Sequence, residues 1–334
     1  MDRFGHLNPI CNIFYMEYVL NISYKICDML KYRMFVPLSE GDGPEQGSEK
    51  WFKKRKHKMT GSKPSSIMFE CKDEESYHKM WNQIFGYAER EKFSEDQQKK
   101  VDWGKNREDE ACETFYKNLP GTIVYETSII DHPVYHWIAA SPDGYVVRVE
   151  VDENNVPVRY DGKLKVIERA NLEIKCPNSQ YYPDCYKMAK ELIKKKSPPY
   201  YYMAQLHFEM VALGVKTTYF YMWTPWYSKL WKINFDMSYW IQTVDVLNAF
   251  RKKSLSWPIL KSKLDGWINT SQAIANKYKT HEEYKTIEEE KWQEEVKKET
   301  QKPERPRTDS VPIYIWYNEK SVQILNKLYG KSKT

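Results

Sequence analysis

Two charged residues, Glu173 and Lys175, stand two positions apart in the stretch ANLEIKCP. In a β-strand, alternate side chains point to opposite faces, so Glu173 and Lys175 share one face while their apolar neighbours share the other. Pro177 lacks an amide donor and ends the strand. An acid beside an amine at a strand end is typical either of an ordinary ion pair or of a hydrolytic metal site.

The rest of the chain separates these two interpretations. Acid-x-Lys triplets occur six times, at 70/72, 161/163, 173/175, 283/285, 289/291 and 295/297. Only Glu173 and Lys175 lie in an alternating strand that follows another strand ending in an acid, Asp143 of AASPDGYVV. If the two strands adjoin, Asp143 and Glu173 can hold one Mg²⁺, which prefers a few carboxylate oxygens and keeps waters for substrate. Lys175 would then face the attacking water or a phosphate oxygen.

Composition is consistent with a folded protein that binds a polyanion. The chain has 334 residues, 41% of them hydrophobic and 15% aromatic, and a formal net charge of +6, although such a charge is common in proteins. Six cysteines without any CxxC pair indicate reduced thiols and exclude zinc-finger readings. The N-terminal segment interleaves charges with apolar residues, unlike a signal peptide. We therefore expect a soluble intracellular protein, nuclear where the host is eukaryotic.

The periodicity predicts an α/β (α+β) fold, with a mixed central sheet flanked by helices. Residues 1–50 form an N-terminal helical extension (10–36) and loop, 51–235 the core, and 236–334 a helical, charged C-terminal extension. Within the core we predict a helix over 94–119 that is interrupted near Gly104, and a hairpin over 150–165. The run THEEYKTIEEEKWQEEVKKETQKPERPR is predicted to be a solvated helix followed by a linker.

The SPDG and LEIKCP stretches together resemble the PD-(D/E)XK nucleases, within them the lambda exonuclease and YqaJ-type viral recombinase (alkaline exonuclease) group. Upstream, WGKNREDEACETFY is similar to that group's helix motif, a glycine followed by an acid four residues later. The resemblance implies that Glu108, in register with Gly104, is a further metal carboxylate beside Asp143 and Glu173. Asp109 and Glu110 are its rivals in the same acidic turn.

Downstream, YYYMAQLHFEM resembles the group's Tyr-Tyr-x-x-Gln helix. The resemblance implies that Gln205 holds the catalytic lysine or the nucleophilic water by hydrogen bonding. The group often has a second glutamine two residues on, where this chain has His207. The catalytic set implied is therefore Glu108, Asp143, Glu173, Lys175 and Gln205.

The N-terminal stretch WFKKRKHKMTGSK resembles the group's W-x-x-x-R-x-x-x-x-T-x-S segment, which implies a pocket for a 5′-terminal phosphate. Arginine's planar fork suits the oxygens of a terminal phosphate. A solvated basic loop or a nuclear-localisation patch would look the same. The phosphate-binding residues implied are Arg55, Thr60, Ser62 and Ser141.

A lysine-rich helix, CYKMAKELIKKK, lies between the strand and the glutamine motif. Its lysines can bind backbone phosphates without reading sequence, or they can form a solvated face. The candidates are Lys187, Lys190 and Lys194. No base-reading helix is recognisable, so sequence specificity is not expected.

The resemblance implies a restriction-endonuclease-like core and an Mg²⁺-dependent (or Mn²⁺-dependent) 5′→3′ exonuclease that digests duplex DNA ends in viral or mobile-element recombination or genome processing. The expected partners are DNA ends with a 5′-phosphate, a single-strand annealing protein and further copies of the chain; no membrane is expected. One alternative is an endonuclease or an RNA-cleaving host-shutoff nuclease of the same fold. Another, from a different class, is an inactive scaffold that binds DNA ends.

Overall fold

A computed structural model describes residues 44, 47–86, 88, 94–125, 127–132, 134–178, 183–279 and 282–285, without the side chains of 183–187 and 284–285. The helices expected over 10–36, most of the loop expected over 37–50 and the charged run beyond 285 lie outside these residues. In the described part, no helix is both long and apolar enough to cross a membrane.

Eight α-helices are described in this part of the chain. They are α1 (Glu49–Arg55), α2 (Lys63–Glu70), α3 (Glu74–Phe85), α4 (Glu95–Asn118), α5 (Pro183–Lys194), α6 (Met203–Leu213), α7 (Met237–Lys252) and α8 (Trp257–Lys277), with a 3₁₀ turn (Tyr200–Tyr202) before α6. Local capping explains several boundaries. Asp73 and Ser76 form a capping box at the start of α3, as Ser94 and Gln97 do for α4, and Gly214 ends α6 in the left-handed conformation.

The strands form three sheets. They are β1 (Met59–Thr60), β2 (Thr122–Tyr125), β3 (Ile130–Asp131), β4 (Ile138–Ala140), β5 (Gly144–Val149), β6 (Arg159–Tyr160), β7 (Lys163–Leu164), β8 (Val166–Lys175), β9 (Thr217–Trp223), β10 (Tyr227–Asn234) and β11 (Glu282–Lys285). The central sheet has the order β11-β10-β9-β8-β5-β2, with β8 and β9 parallel and the other pairs antiparallel. A small sheet has the order β1-β4-β3, and β6 and β7 form the expected hairpin.

Helices cover both faces of the central sheet, which confirms the α/β core with a mixed, helix-flanked sheet. Alternation along β9 shows the two layers: Tyr219 and Tyr221 pack with α4, whereas Phe220 and Met222 pack with the helices on the other face. Every residue of β9 is buried, as expected for a central strand covered on both sides. The helices α7 and α8 belong to the second layer, where Trp240 and Trp267 are fully buried.

Two local predictions are wrong. The helix expected to break near Gly104 is continuous as α4, because a single glycine costs only about 1 kcal/mol and buried Trp103 and Phe115 anchor the helix on either side. Residues 282–285, expected to be helical, form the edge strand β11, which pairs with β10. There Glu283 makes an ion pair with Lys229, whose side chain is only 3% exposed. This contact favours the strand over the helix suggested by local charge.

His207 is fully buried on α6, packed between Phe235 and Tyr239. Its Nδ1 donates to the carbonyl of Met203, and its Nε2 accepts from the amide of Asp236, so the ring is neutral. Burial lowers the pKa of His207 to about 4, against a smaller opposing effect of the Met203 hydrogen bond. The unfolded chain therefore binds a proton at this residue between about pH 6.5 and pH 4, while the folded protein does not.

We predict that the free energy of unfolding falls as pH falls through this window. The unfolded chain is stabilised by protonating His207 there, and the folded protein is not. Between pH 7.5 and 5, His207 alone accounts for about 2 kcal/mol. Urea titrations of the wild type and of His207→Gln measure the difference, since glutamine cannot take up the proton. An equal pH dependence in both proteins would contradict this account of His207.

Candidate active site

The pairing of β5 with β8 brings Asp143 and Glu173 together. Gly144 pairs with Leu172 in the antiparallel register, so the next step places Asp143 opposite Glu173. The amide of Ile174 donates to Oδ2 of Asp143 at 2.7 Å, which fixes the carboxylate against the end of β8. A methyl group at Gly144 would lie 2.4 Å from a methyl of Val124 in the adjacent strand, so a side chain here would have to displace Val124.

Glu173 lies beneath this strand end and is 1% exposed. Its Oε1 accepts hydrogen bonds from the ammonium of Lys175 and, at 2.5 Å, from Nε2 of Gln205 on α6. The Lys175 ammonium also lies 5.5 Å from the centre of the Tyr202 ring, and its side chain remains 28% exposed. Lys175 is therefore hydrogen-bonded to the buried Glu173, while part of its own side chain stays in contact with solvent.

Glu108 reaches the same place from α4, across the other face of the sheet. Its carboxyl group hydrogen-bonds to the carboxylate of Asp143. The helix is held against the end of β8 by Trp103, whose indole donates to the carbonyl of Pro177 at 3.1 Å. Gly104 faces this end too, although a methyl there would only make ordinary contact, 3.8 Å from the carbonyl of Cys176. The five expected catalytic residues thus lie in one cluster.

A further acid, Glu209, belongs to this cluster and was missed by the sequence reasoning. It is 1% exposed, its Oε1 accepts from Nε2 of Gln205 at 2.8 Å, and its Oε2 accepts from Nδ2 of Asn171 at 2.7 Å. Gln205 therefore bridges Glu173 and Glu209 with its amide group, whose orientation is set by the two acceptors. An acid four residues after Gln205, in an otherwise apolar helix, is the sequence signal that could have revealed it.

The carboxyl groups repel one another in this buried setting. Burial raises the pKa of Glu108 to about 8, with the charge of Asp143 adding to the rise. Burial likewise raises the pKa of Glu173 well above its usual range, and that of Glu209 to about 7. Burial alone would lower the pKa of Lys175, but the charges of Glu173 and Asp143 outweigh it and raise that pKa well above its usual range. The raised pKa of Lys175 shows that a cation is favoured at this position.

The donor set fits a hard divalent cation, because every acid here offers oxygen. Glu173 supplies the most direct observation: its Oε2 is buried and has no hydrogen-bond partner within the described residues. Within those residues, however, no three His, Cys, Asp or Glu side chains already form a cage around one ion position. The acids are instead engaged with Lys175, Gln205 and each other, so ion binding would redirect some of these oxygens.

The residues expected to bind phosphate are assembled next to the acids. The Arg55 guanidinium stacks 4.0 Å above the Trp51 ring and donates to Oγ1 of Thr60 at 3.0 Å. The Trp51 indole donates to Oγ of Ser141 at 3.4 Å, two residues before Asp143. This group of Trp51, Arg55, Thr60 and Ser141 is called the arginine cluster below.

The loop after Thr60 connects the arginine cluster to the acids. A methyl group at Gly61 would lie 3.3 Å from Cγ of Gln205 and 3.6 Å from Oε1 of Glu209, so the backbone here passes directly over α6. Ser62, exposed just before α2, makes no capping hydrogen bond with its side chain. Ser62 is near the arginine cluster because it follows Thr60 by two residues, and no side-chain contact ties it there among the described hydrogen bonds.

The structure says less about the lysines of α5, which the sequence offers as DNA contacts. Lys194 is exposed at the C-terminal end of the helix and Lys190 is half-buried, while the side chain of Lys187 lies outside the described residues. The end of α5 is tied to the sheet, because Lys229 and Trp231 donate to the carbonyls of Lys195 and Lys196. DNA contact by these lysines stays a prediction.

The core, with its acids at the end of β8, places the chain in the PD-(D/E)XK superfamily, in its lambda exonuclease-like group. Residues 50–218 match the model of the YqaJ-like viral recombinase domain, about half of the chain, and the chain belongs to this family. No curated protein matches it.

Two solved structures of one protein are similar to the chain. The alkaline exonuclease LHK-Exo from Laribacter hongkongensis is 20% identical, with 68% of this chain and 100% of that chain covered and a TM-score of 0.44. LHK-Exo in complex with dAMP is 21% identical, with 69% and 99% covered and a TM-score of 0.42.

The bridge from Asn171 through Glu209 to Gln205 yields a stability prediction. The carboxylate of Glu209 accepts from the amide groups of both Gln205 and Asn171, whereas the glutamine of Glu209→Gln has one oxygen and one NH₂ group. One buried donor therefore loses its acceptor, which is expected to cost about 1–3 kcal/mol. Urea unfolding at pH 8 measures this loss. Adding Asn171→Asp reverses donor and acceptor, and should recover most of the stability. A Glu209→Gln protein as stable as the wild type would show that the bridge is unimportant.

Proposed function

We propose that this protein is a divalent-metal-dependent nuclease that digests duplex DNA from a 5′-phosphorylated end. The observation that carries the proposal is the meeting of Asp143, Glu173 and Lys175 at the end of β8, with Glu108 and Gln205 on flanking helices. Membership of the YqaJ-like viral recombinase family supports a nuclease role in recombination. The annealing partner and the homo-oligomer expected from the sequence stay predictions.

Asp143 and Glu173 would hold the ion, with Glu108 assisting from α4. A bound divalent cation, Mg²⁺ or Mn²⁺, would act as a Lewis acid toward the phosphate and lower the pKa of a bound water. The buried Oε2 of Glu173, which has no partner in the part of the chain that the structure describes, and the raised pKa of Glu108 both support a cation-binding role for these acids. Their protons would be released as the ion binds.

Lys175 and Gln205 have roles that do not require them to bind the ion. The ammonium of Lys175 stays charged because its pKa is raised, so it can stabilise negative charge developing on a phosphate oxygen. Gln205 holds Glu173 at 2.5 Å and is itself held by Glu209, which keeps the carboxylate aligned for ion and water.

The arginine cluster supports action at a DNA end. Stacking on Trp51 fixes the plane of the Arg55 guanidinium, which donates to the hydroxyl of Thr60, while the Trp51 indole donates to the hydroxyl of Ser141. A terminal phosphate carries more charge than a diester, so a fixed guanidinium would favour it. Because Ser141 is two residues from Asp143, a terminal phosphate bound there would lie next to the hydrolytic acids.

We predict that Lys175→Ala lowers hydrolysis of linear duplex DNA at least about 100-fold, because charge stabilisation in the transition state is lost. DNA binding, followed by fluorescence anisotropy, should remain. Lys163→Ala is the matched control, since it removes the same charge from the exposed β6–β7 hairpin. Full activity of Lys175→Ala would refute the assignment, and cleavage of closed circular DNA at the linear rate would favour an endonuclease.

Arg55→Lys tests the end preference. It keeps the charge but removes the planar fork, so we predict that the preference for a 5′-phosphorylated over a 5′-hydroxyl duplex falls about tenfold or more. Initial rates on the two substrates measure it. Lys53→Ala, on the exposed face of the same helix, should keep the wild-type preference. An unaltered preference in Arg55→Lys would place terminal phosphate recognition elsewhere.

A further inference from the structure

Phe69, on the last turn of α2, is a large apolar side chain that remains 46% exposed. It is held by the 3₁₀ turn that precedes α6. Its ring centre lies 5.0 Å from that of Tyr201 and 6.3 Å from that of Tyr200, and Ser65 ties α2 to this turn by donating to the carbonyl of Tyr201. Phe69 is therefore a positioned aromatic face and not a loose surface residue.

These rings form a continuous row that begins at the hydrolytic lysine. The ammonium of Lys175 lies 5.5 Å from the Tyr202 ring centre, Tyr202 lies 4.6 Å from Tyr201, and Tyr201 lies 5.0 Å from Phe69. The end of the row is therefore at most about 15 Å from the Lys175 ammonium. At about 3.4 Å per nucleotide of duplex strand, this corresponds to about four nucleotides, and to fewer for a stretched strand.

A cavity of about 430 Å³ opens beside Phe69, between α2 and α8. Its walls are apolar, with Ile67, Leu264 and Ile268 among them, and its polar groups come from Lys72, Lys261 and Asp265. Lys261 and Asp265 pair with each other across one helical turn. Apolar walls with a few polar groups suit a flat heteroaromatic ring, and Lys72 supplies a cation beside it, since Lys261 is already paired with Asp265.

We infer that Phe69 and this cavity form a base-binding subsite for the substrate strand, two to four nucleotides from the bond that is cut. The inference rests on the proposed nuclease function and adds a contact that unstacks one base of the strand. Phe69 offers its face to the base, the cavity receives the edge of the base, and Lys72 approaches the adjoining phosphate. Binding here would hold the strand in line with Lys175.

The test uses DNA with a 5′-phosphate and a 2-aminopurine at one position in turn, because the fluorescence of this base changes when it leaves the stack. Binding is measured with the Lys175→Ala protein and Mg²⁺, so that the DNA stays intact. One position, two to four nucleotides beyond the bond that is cut, should change its fluorescence on binding. Phe69→Ala should abolish that change and weaken binding about 5- to 100-fold, whereas Phe69→Trp should keep both.

Tyr160→Ala is the matched control, since Tyr160 is an 80% exposed aromatic residue on the separate β6–β7 sheet, and it should alter nothing. If no position responds to Phe69→Ala, the subsite does not exist and the cavity takes another occupant, such as a different segment of the chain. Failure of the wild type to cleave any DNA would instead overturn the proposed function. The two failures are therefore distinguishable.

Discussion

The interaction on which the site depends is the confinement of several carboxylates around a single ammonium at the end of β8. Asp143 is fixed by the amide of Ile174, and Glu173 is held by Lys175 and Gln205. Burial raises the pKa values of Glu108 and Glu173, and the neighbouring charge of Asp143 adds to the rise. A divalent cation bound between these carboxylates would offset the cost of burying their negative charge.

The central sheet and the helices on both of its faces each contribute side chains to the cluster at the end of β8. The central sheet supplies Asp143, Glu173 and Lys175 through the register of β5 against β8. One layer of helices contributes Glu108, while the opposite layer contributes Gln205 through α6. Since these elements also contribute to the two larger hydrophobic clusters, one on each face of the central sheet, the site is positioned by the same packing that stabilises the fold.

Much of this site could be predicted from the sequence, because a strand's alternation is local information. The shared face of Glu173 and Lys175 follows from the period of two, and Asp143 from its place at an earlier strand end. Glu209 could not be found in this way. Its importance arises from contacts with Gln205, one turn earlier in the same helix, and with Asn171 on β8, and the sequence alone does not show which groups an acid in this helix contacts.

The fold shows the same division. The mixed sheet and its flanking helices follow from periodicity, whereas β11 does not, because local charge suggested a helix and pairing with β10 decided the outcome. Gly104 likewise suggested a break that packing of α4 prevents. Tertiary contacts worth a few kcal/mol override weak local preferences at such places.

Diffraction from crystals grown with Mn²⁺, recorded to show its anomalous signal, tests the central claim most directly. The account predicts one peak at least, within about 2.0–2.6 Å of carboxylate oxygens from both residue 143 and residue 173. A peak elsewhere on the molecule, with these two side chains still bound only to protein groups at millimolar Mn²⁺, would contradict it.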